Sequence, residues 1–134
     1  MLREVLFAKI HRAVVTACHP DYMGSITIDR DLLDATGICI NERVLVADCE
    51  NGRRFETYVF VGERGTRRIE VNGAAASITG IGHKVIIMSF CMVNENELKT
   101  HRPRVAVCRS DNSIERVLQY DAAVSRHDQE SREE

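Results

Sequence analysis

A small, mainly β barrel is the fold class that this sequence of 134 residues predicts. Three observations point to it. Apolar residues recur with a period of two far more often than 3.6, the spacing of strands with one buried face. Asn51-Gly52 separates two alternating runs, the strongest short-range signal for a hairpin. Helical patterns are few and short, so the strands must bury their faces on one another, and closing the sheet removes its unpaired edges.

The elements follow in order. "VLFAKIHRAVVTAC" is rich in β-branched residues and predicts one long first strand, with Lys9, His11 and Ala13 sharing a face that Ala8, Ile10 and Val14 do not. "SITID" alternates as a second strand. In "IDRDLLDATGI", Asp29 predicts a helix N-cap, Leu32, Leu33 and Ala35 its buried side, and Gly37 its stop. "RVLVADCENGRRFETYVFVGE" predicts two strands around the Asn51-Gly52 turn, with Arg54 and Tyr58 on one face and Thr57 on the other. "RRIEVNGAAA" is a strand running into a turn of small residues. "GHKVIIMSFCMV" carries a continuous apolar stretch suited to a buried strand. "NENELKT" predicts a second short helix, and "RPRVAVC" the last strand. The domain is expected to span residues 1–116, leaving 117–134 as a tail without apolar periodicity, expected to be disordered.

Composition narrows the function. A net charge of −2 is no footprint for a nucleic-acid backbone, which needs concentrated positive charge. No apolar run approaches the roughly 18–20 residues of a membrane span. The first residues, "MLREVLFAKIHR", intersperse charges among apolar positions, unlike the apolar core of a secretion signal, so the expected location is the cytoplasm. The five cysteines are widely spaced and read as small hydrophobic residues in a reducing compartment. His11, Cys18 and His19 are the nearest approach to a metal-ligand group, but they lack a defined ligand spacing.

"YMGSITID", residues 22–29, raises the chemical question. A glycine entering a strand marks a bend or a close backbone approach. It also leaves its carbonyl unshielded beside the hydroxyl of Ser25, which can attack it.

"KIHRAVVT", "YMGSITID", "NGRRFETY", "ERGTRRIEVNGAAA" and "VIIMSF", in this order and spacing, resemble the pyruvoyl-dependent aspartate 1-decarboxylases over residues 3 to about 112. The resemblance implies a six-stranded double-psi β-barrel with short helices, assembled as a homotetramer. It implies cleavage between Gly24 and Ser25 into chains 1–24 and 25–134, with Ser25 converted to a pyruvoyl group. That group would form a Schiff base with L-aspartate, which is decarboxylated to β-alanine for pantothenate and coenzyme A synthesis. Neither pyridoxal phosphate nor a metal is implied. Thr57 matches the family's processing threonine and also borders substrate. Tyr58 matches its proton donor. Lys9 and Arg54 would hold the substrate carboxylates, Arg54 through a planar fork that a lysine lacks. Asn72, Gly73, Ala74 and Ala75 match the substrate-binding segment, and His11 and Tyr22 match polar positions near the cleaved bond.

Taken singly, these residues are ordinary: Arg54 reads as a solvated hairpin residue, His11 as a structural histidine, "NGAAA" as a turn. The chain also departs from the family pattern. "ACHPDY" replaces the more usual Ala-Asp-Leu-x-Tyr, and Ser77 stands where many members carry histidine. These changes bear on the rate of processing, and some members need an acetyltransferase-like maturation partner. Two non-catalytic readings stand beside this one. A DNA-binding switch barrel would require a basic face, and a metal-binding barrel would use His11, Cys18 and His19.

Overall fold

The computed structural model describes residues 1–123. Its elements are β1 (Leu2–Val14), β2 (Ala17–His19), β3 (Ser25–Asp29), α1 (Arg30–Thr36), β4 (Arg43–Asp48), β5 (Arg54–Gly62), β6 (Ile69–Asn72), a 3-10 turn (Gly73–Ser77), β7 (Lys84–Asn94), α2 (Glu95–Leu98), β8 (Arg104–Cys108) and β9 (Ile114–Gln119). The protein is mainly β. The strands pair in the order β2-β6-β3-β5-β4-β7-β1-β8-β9. The sheet wraps a single core to which strands across this order contribute, among them Ile10, Ile26, Val46, Val59, Val71 and Ile87. Burying each such side chain contributes roughly 1.5–3 kcal/mol.

Nine strands form among the described residues where six were expected, and no ladder joins β2 to β9. Part of the difference lies in the first strand, which breaks after Val14. Val15 N donates to His83 O at 2.9 Å and Thr16 N to Ile69 O at 2.8 Å, so the backbone leaves β7 and turns to β6. Before the break, Arg12 adopts φ +63° and the register on β7 shifts between Ile10 and Ala13. A bulge of this kind reverses the alternation. Ala13 is therefore buried on the side of Ala8 and Ile10, and not with His11 as simple parity predicted.

The expected boundary at residue 116 falls inside β9. This strand pairs antiparallel with β8, from Arg104 opposite Gln119 to Cys108 opposite Ile114, so β8 is not the last strand. β9 shows no burial alternation because it is an edge strand held by its backbone ladder. The turn before it is fixed by Asn112, whose side chain accepts from Val14 N at 2.7 Å and donates to Val14 O at 2.8 Å, imitating a strand partner for β1. Residues 124–134 of the expected tail lie outside the described residues.

Helix α1 forms as its end signals predict. Asp29 accepts from Asp31 N at 2.8 Å, and Gly37, at φ +82°, closes the helix by donating to Leu33 O at 2.8 Å. The buried Asp29 carboxylate also accepts from Arg67 N at 2.6 Å and Gly65 N at 3.2 Å, tying the β5–β6 loop to the end of β3. At α2, Asn94 and Glu97 form a reciprocal capping box.

Candidate active site

The start of β3 and the end of β6 bring the central residues together. Ser25 stands opposite Asn72 in the antiparallel β3–β6 ladder and is fully buried. Asn72 Nδ2 donates to Ser25 Oγ at 2.9 Å and to Thr27 Oγ1 at 3.1 Å. Asn72 occupies the N-cap position of the 3-10 turn but makes no side-chain capping bond; its Nδ2 is turned to these hydroxyls. Ile26 and Ile28 point into the core, so Ser25 and Thr27 open onto the other face. There, with Tyr22, Met23, Phe60, Glu70 and Asn72, they line an open recess of about 460 Å³.

The close approach expected at Gly24 is located at its partner. Gly73 has φ +80°, and a Cβ on it would lie 2.6 Å from Gly24 Cα, 2.8 Å from Gly24 N and 3.2 Å from Tyr22 O. Only glycine fits there without displacing backbone. A Cβ on Gly24 would meet nothing nearer than Asn72 O at 4.0 Å, and Gly24 has no positive φ, so the position that requires glycine is Gly73. Ala74 is exposed, and Ala75 packs against the core.

Strand β5 runs parallel to β3, with Ile26 opposite Val59. Continuing this register toward the N-terminus sets Ser25 level with Tyr58 and Gly24 level with Thr57. Parity holds from Arg54 to Phe60: Arg54, Glu56, Tyr58 and Phe60 are exposed, while Phe55 and Val59 are buried and Thr57 is half-buried beside them; it fails at exposed Val61. Tyr58 thus shares the Ser25 face, its ring edge-on to Phe60 with centroids 5.5 Å apart. Thr57 faces the other way, and the parallel register is what brings its backbone level with Gly24.

Lys9 and His11 are not gathered into this group. They lie on β1, separated from β5 by β4 and β7 in the sheet. The Lys9 ammonium sits 5.4 Å over the Tyr120 ring. His11 Nδ1 is buried without a hydrogen-bond partner among the described residues. Burial, and then the charges of Lys9 and Arg12, lower its pKa.

Two histidine–carboxylate contacts were not foreseen from the sequence. His19 Nε2 stands 2.9 Å from Glu70 Oε1 at the rim of the recess, and the His19 ring stacks on Tyr22. Behind the 3-10 turn, the fully buried Asp48 carboxylate accepts from Thr79 Oγ1 at 2.7 Å, Glu50 N at 2.7 Å and His83 Nδ1 at 2.8 Å. Burial alone would raise the Asp48 pKa, but these hydrogen bonds outweigh it and hold the carboxyl below its ordinary value. Neither pair carries a short sequence signature, since 51 and 35 positions separate the partners.

With His19 committed to Glu70, the proposed ligand set of a metal barrel is broken up. Among the described residues, no group of three His, Cys, Asp or Glu side chains could hold a metal ion. Burial raises the thiols of Cys18, Cys91 and Cys108, the last to about 11, which makes them poor nucleophiles. No helix among the described residues is long and apolar enough to cross a membrane.

The fold and this site define a small β protein in which an exposed backbone crossing ends at a glycine–serine peptide, with the serine buried and its hydroxyl held by a side-chain amide. A family model described as aspartate decarboxylase matches residues 1–115. The aspartate 1-decarboxylase of Bacillus licheniformis is 49% identical over 118 residues, covering 88% of this chain and 93% of that protein. Those of Caldicellulosiruptor saccharolyticus and Staphylococcus aureus are 52% and 51% identical over 114 residues, covering 85% of this chain and 89% and 90% of theirs. The chain belongs to the aspartate decarboxylase family.

Proposed function

We propose that this chain makes a prosthetic group from its own Ser25 and uses it to decarboxylate L-aspartate to β-alanine and carbon dioxide, the β-alanine serving pantothenate and coenzyme A synthesis. The observation that carries the reading is the Gly24–Ser25 junction, where buried Ser25 has its Oγ held by Asn72 and exposed Gly24 packs on Gly73.

Cleavage is chemistry of the chain itself. Ser25 Oγ adds to the Gly24 carbonyl, the new C–O bond replaces the C–N bond, and the hydroxyl proton ends on the freed nitrogen. Thr57, level with Gly24 in the register, has the hydroxyl that would stabilise the oxyanion of this step. Loss of the Ser25 α-proton then breaks the Cβ–O bond of the ester and leaves Gly24 as a carboxylate. The remaining enamine tautomerises to an imine, and water hydrolyses it to a pyruvoyl group with release of ammonia.

The recess fits such a group. An amide donor already holds a buried oxygen at Ser25, and the Phe60 ring offers an apolar wall for a small uncharged ketone. When formed, the conjugated carbonyl supplies an electron sink for the pair left by departing carbon dioxide. No pyridoxal phosphate or metal enters this reading. Arg54 grips one substrate carboxylate bidentately, and Lys9 supplies the second positive charge. Tyr58, on the Ser25 face, delivers a proton to the substrate carbon. Asn72 and the Gly73-Ala74-Ala75 backbone orient the substrate, with His11 and Tyr22 in support.

Lys9 and Arg54 lie on strands that β4 and β7 separate, so we read the complete site as formed between copies in a homotetramer. Exposed Phe60, Phe90, Met92 and Leu2 on β5, β7 and β1 support such an assembly. Two triplets support the double-psi architecture: β1 pairs antiparallel with β7 and parallel with β8, and β3 pairs antiparallel with β6 and parallel with β5. These six strands would be the barrel proper. Five free thiols fit the cytoplasm.

A denaturing mass spectrum tests the reading, with and without an acetyltransferase-like maturation partner. Two chains are expected, the larger lighter than its serine-ended form by the mass of ammonia, together with β-alanine release from aspartate. A chain that stays intact in both conditions overturns it.

A further inference from the structure

Residues 20–24 leave β2 at His19 and enter β3 at Ser25, and both of these residues stand opposite Asn72, one on each side of β6. The segment therefore crosses the end of β6, rests on Gly73, and ends at the Gly24–Ser25 peptide. Its own side chains anchor it weakly, since Tyr22 is 63% and Met23 84% exposed. What ties it down is His19. Tyr22 N donates to His19 O at 3.1 Å, closing the turn. The two rings stack with centroids 4.4 Å apart and planes 10° from parallel. His19 Nε2 then meets Glu70 Oε1 at 2.9 Å, and Arg68 Nε lies 3.6 Å from Glu70 Oε2. Glu70 is two residues before Asn72 on the same face of β6, so one strand holds both the crossing segment and the Ser25 hydroxyl.

We propose that His19 is a positioning residue for cleavage, clamping the crossing segment to Glu70 so that the Gly24 carbonyl stays presented to Ser25 Oγ. The proposal rests on the reading of Gly24–Ser25 as the cleaved bond. An intramolecular acyl shift depends on keeping the reacting atoms in near-attack geometry, and a segment free to lift from β6 spends little time there. His19 exchanges no atom in the step. Neutral imidazole protonated at Nε2 donates to Glu70, and so does imidazolium, so the clamp needs no particular charge state.

The test follows chain masses over time, in the purified protein and in clarified extract, for the unchanged chain, His19→Phe, Glu70→Gln, their double variant and His19→Gln. His19→Phe keeps a ring to stack on Tyr22 but loses the hydrogen bond. Each of the first two variants should slow cleavage about tenfold or more. The double variant should be no slower than the slower single, because both remove the same contact. His19→Gln, with an amide N–H for Glu70, should recover part of the rate. Melting temperatures measured in a Ser25→Ala background should stay within about 3 °C of one another. Cleavage of the single variants at the unchanged rate overturns the clamp, as does a double variant slowed by the product of the singles, or a melting temperature that falls in step with the rate. An unchanged chain that never cleaves overturns instead the reading on which the clamp rests, and the clamp with it.

Discussion

Gly73 packs so closely on Gly24 that a methyl group added to Gly73 would stand 2.6 Å from the Gly24 α-carbon. The contact seats the bond proposed for cleavage, and it makes the two glycines unequal. Gly73→Ala must accept a left-handed backbone, at about 1–2 kcal/mol, and must also displace the crossing segment. It should lower the melting temperature and leave the chain uncleaved. Gly24→Ala meets only ordinary contact distances, so its melting temperature should stay close to that of the unchanged protein. Thermal unfolding with chain masses distinguishes the two, and equal destabilisation would contradict the asymmetry.

Thr57 and Tyr58 are adjacent but face opposite ways, and their roles should separate accordingly. Tyr58→Phe should still yield two chains, while turnover of aspartate falls by about 10²–10⁴-fold, the usual worth of a general acid. Thr57→Val should give the reverse, an intact chain with little loss of packing. Chain masses report cleavage and β-alanine release reports turnover. A Tyr58→Phe protein that is cleaved and fully active would remove the phenol from the reaction.

Arg54 begins β5 on its exposed face, opposite Ala47 on β4 and four residues before Tyr58, the position level with Ser25. Arg54→Lys should therefore leave cleavage intact and lower kcat/KM for aspartate by about 10²-fold or more, because a lysine cannot reproduce a bidentate grip. L-Glutamate, one methylene longer, should be turned over far more slowly than aspartate, since its second carboxylate falls out of register. Comparable rates with both acids would show that the anchor is misassigned.

Asp48 predicts a component of acid lability. Its carboxyl is held below the ordinary value in the folded protein, so its contribution to stability is fully present above the unfolded value of about 3.9 and is lost as pH falls through the folded one. Asp48→Ala, which strands Thr79, His83 and the Glu50 amide, should cost about 2 kcal/mol or more at neutral pH. Asp48→Asn should flatten the stability profile in this acidic range. Urea midpoints from pH 2 to 7 measure both effects, and an unchanged acid slope in Asp48→Asn would place the titrating group elsewhere.

Local signals were legible where the responsible atoms are neighbours in sequence. Asp29 and Gly37 end α1 as expected, because a cap is satisfied within two to four residues. The alternation of β5 holds from Arg54 to Phe60, so Arg54 and Tyr58 share a face as predicted. Alternation failed on β1, where the Arg12 bulge reversed it, and no residue type there announces a bulge. β9 escaped notice because an edge strand held by backbone bonds needs no apolar face.

By itself, the sequence determined the β class, the two short helices and the family, and it singled out Gly24-Ser25 as the bond proposed for cleavage. Only the tertiary structure decided that Asn72 holds that hydroxyl from 47 positions away, that Gly73 carries the left-handed backbone beneath Gly24, and that His19 reaches Glu70 across 51 positions. The reason is physical: a strand fixes which way each side chain points through its own two-residue repeat. Which residue stands opposite depends on the path of the whole chain, and here that path places β6 between β2 and β3.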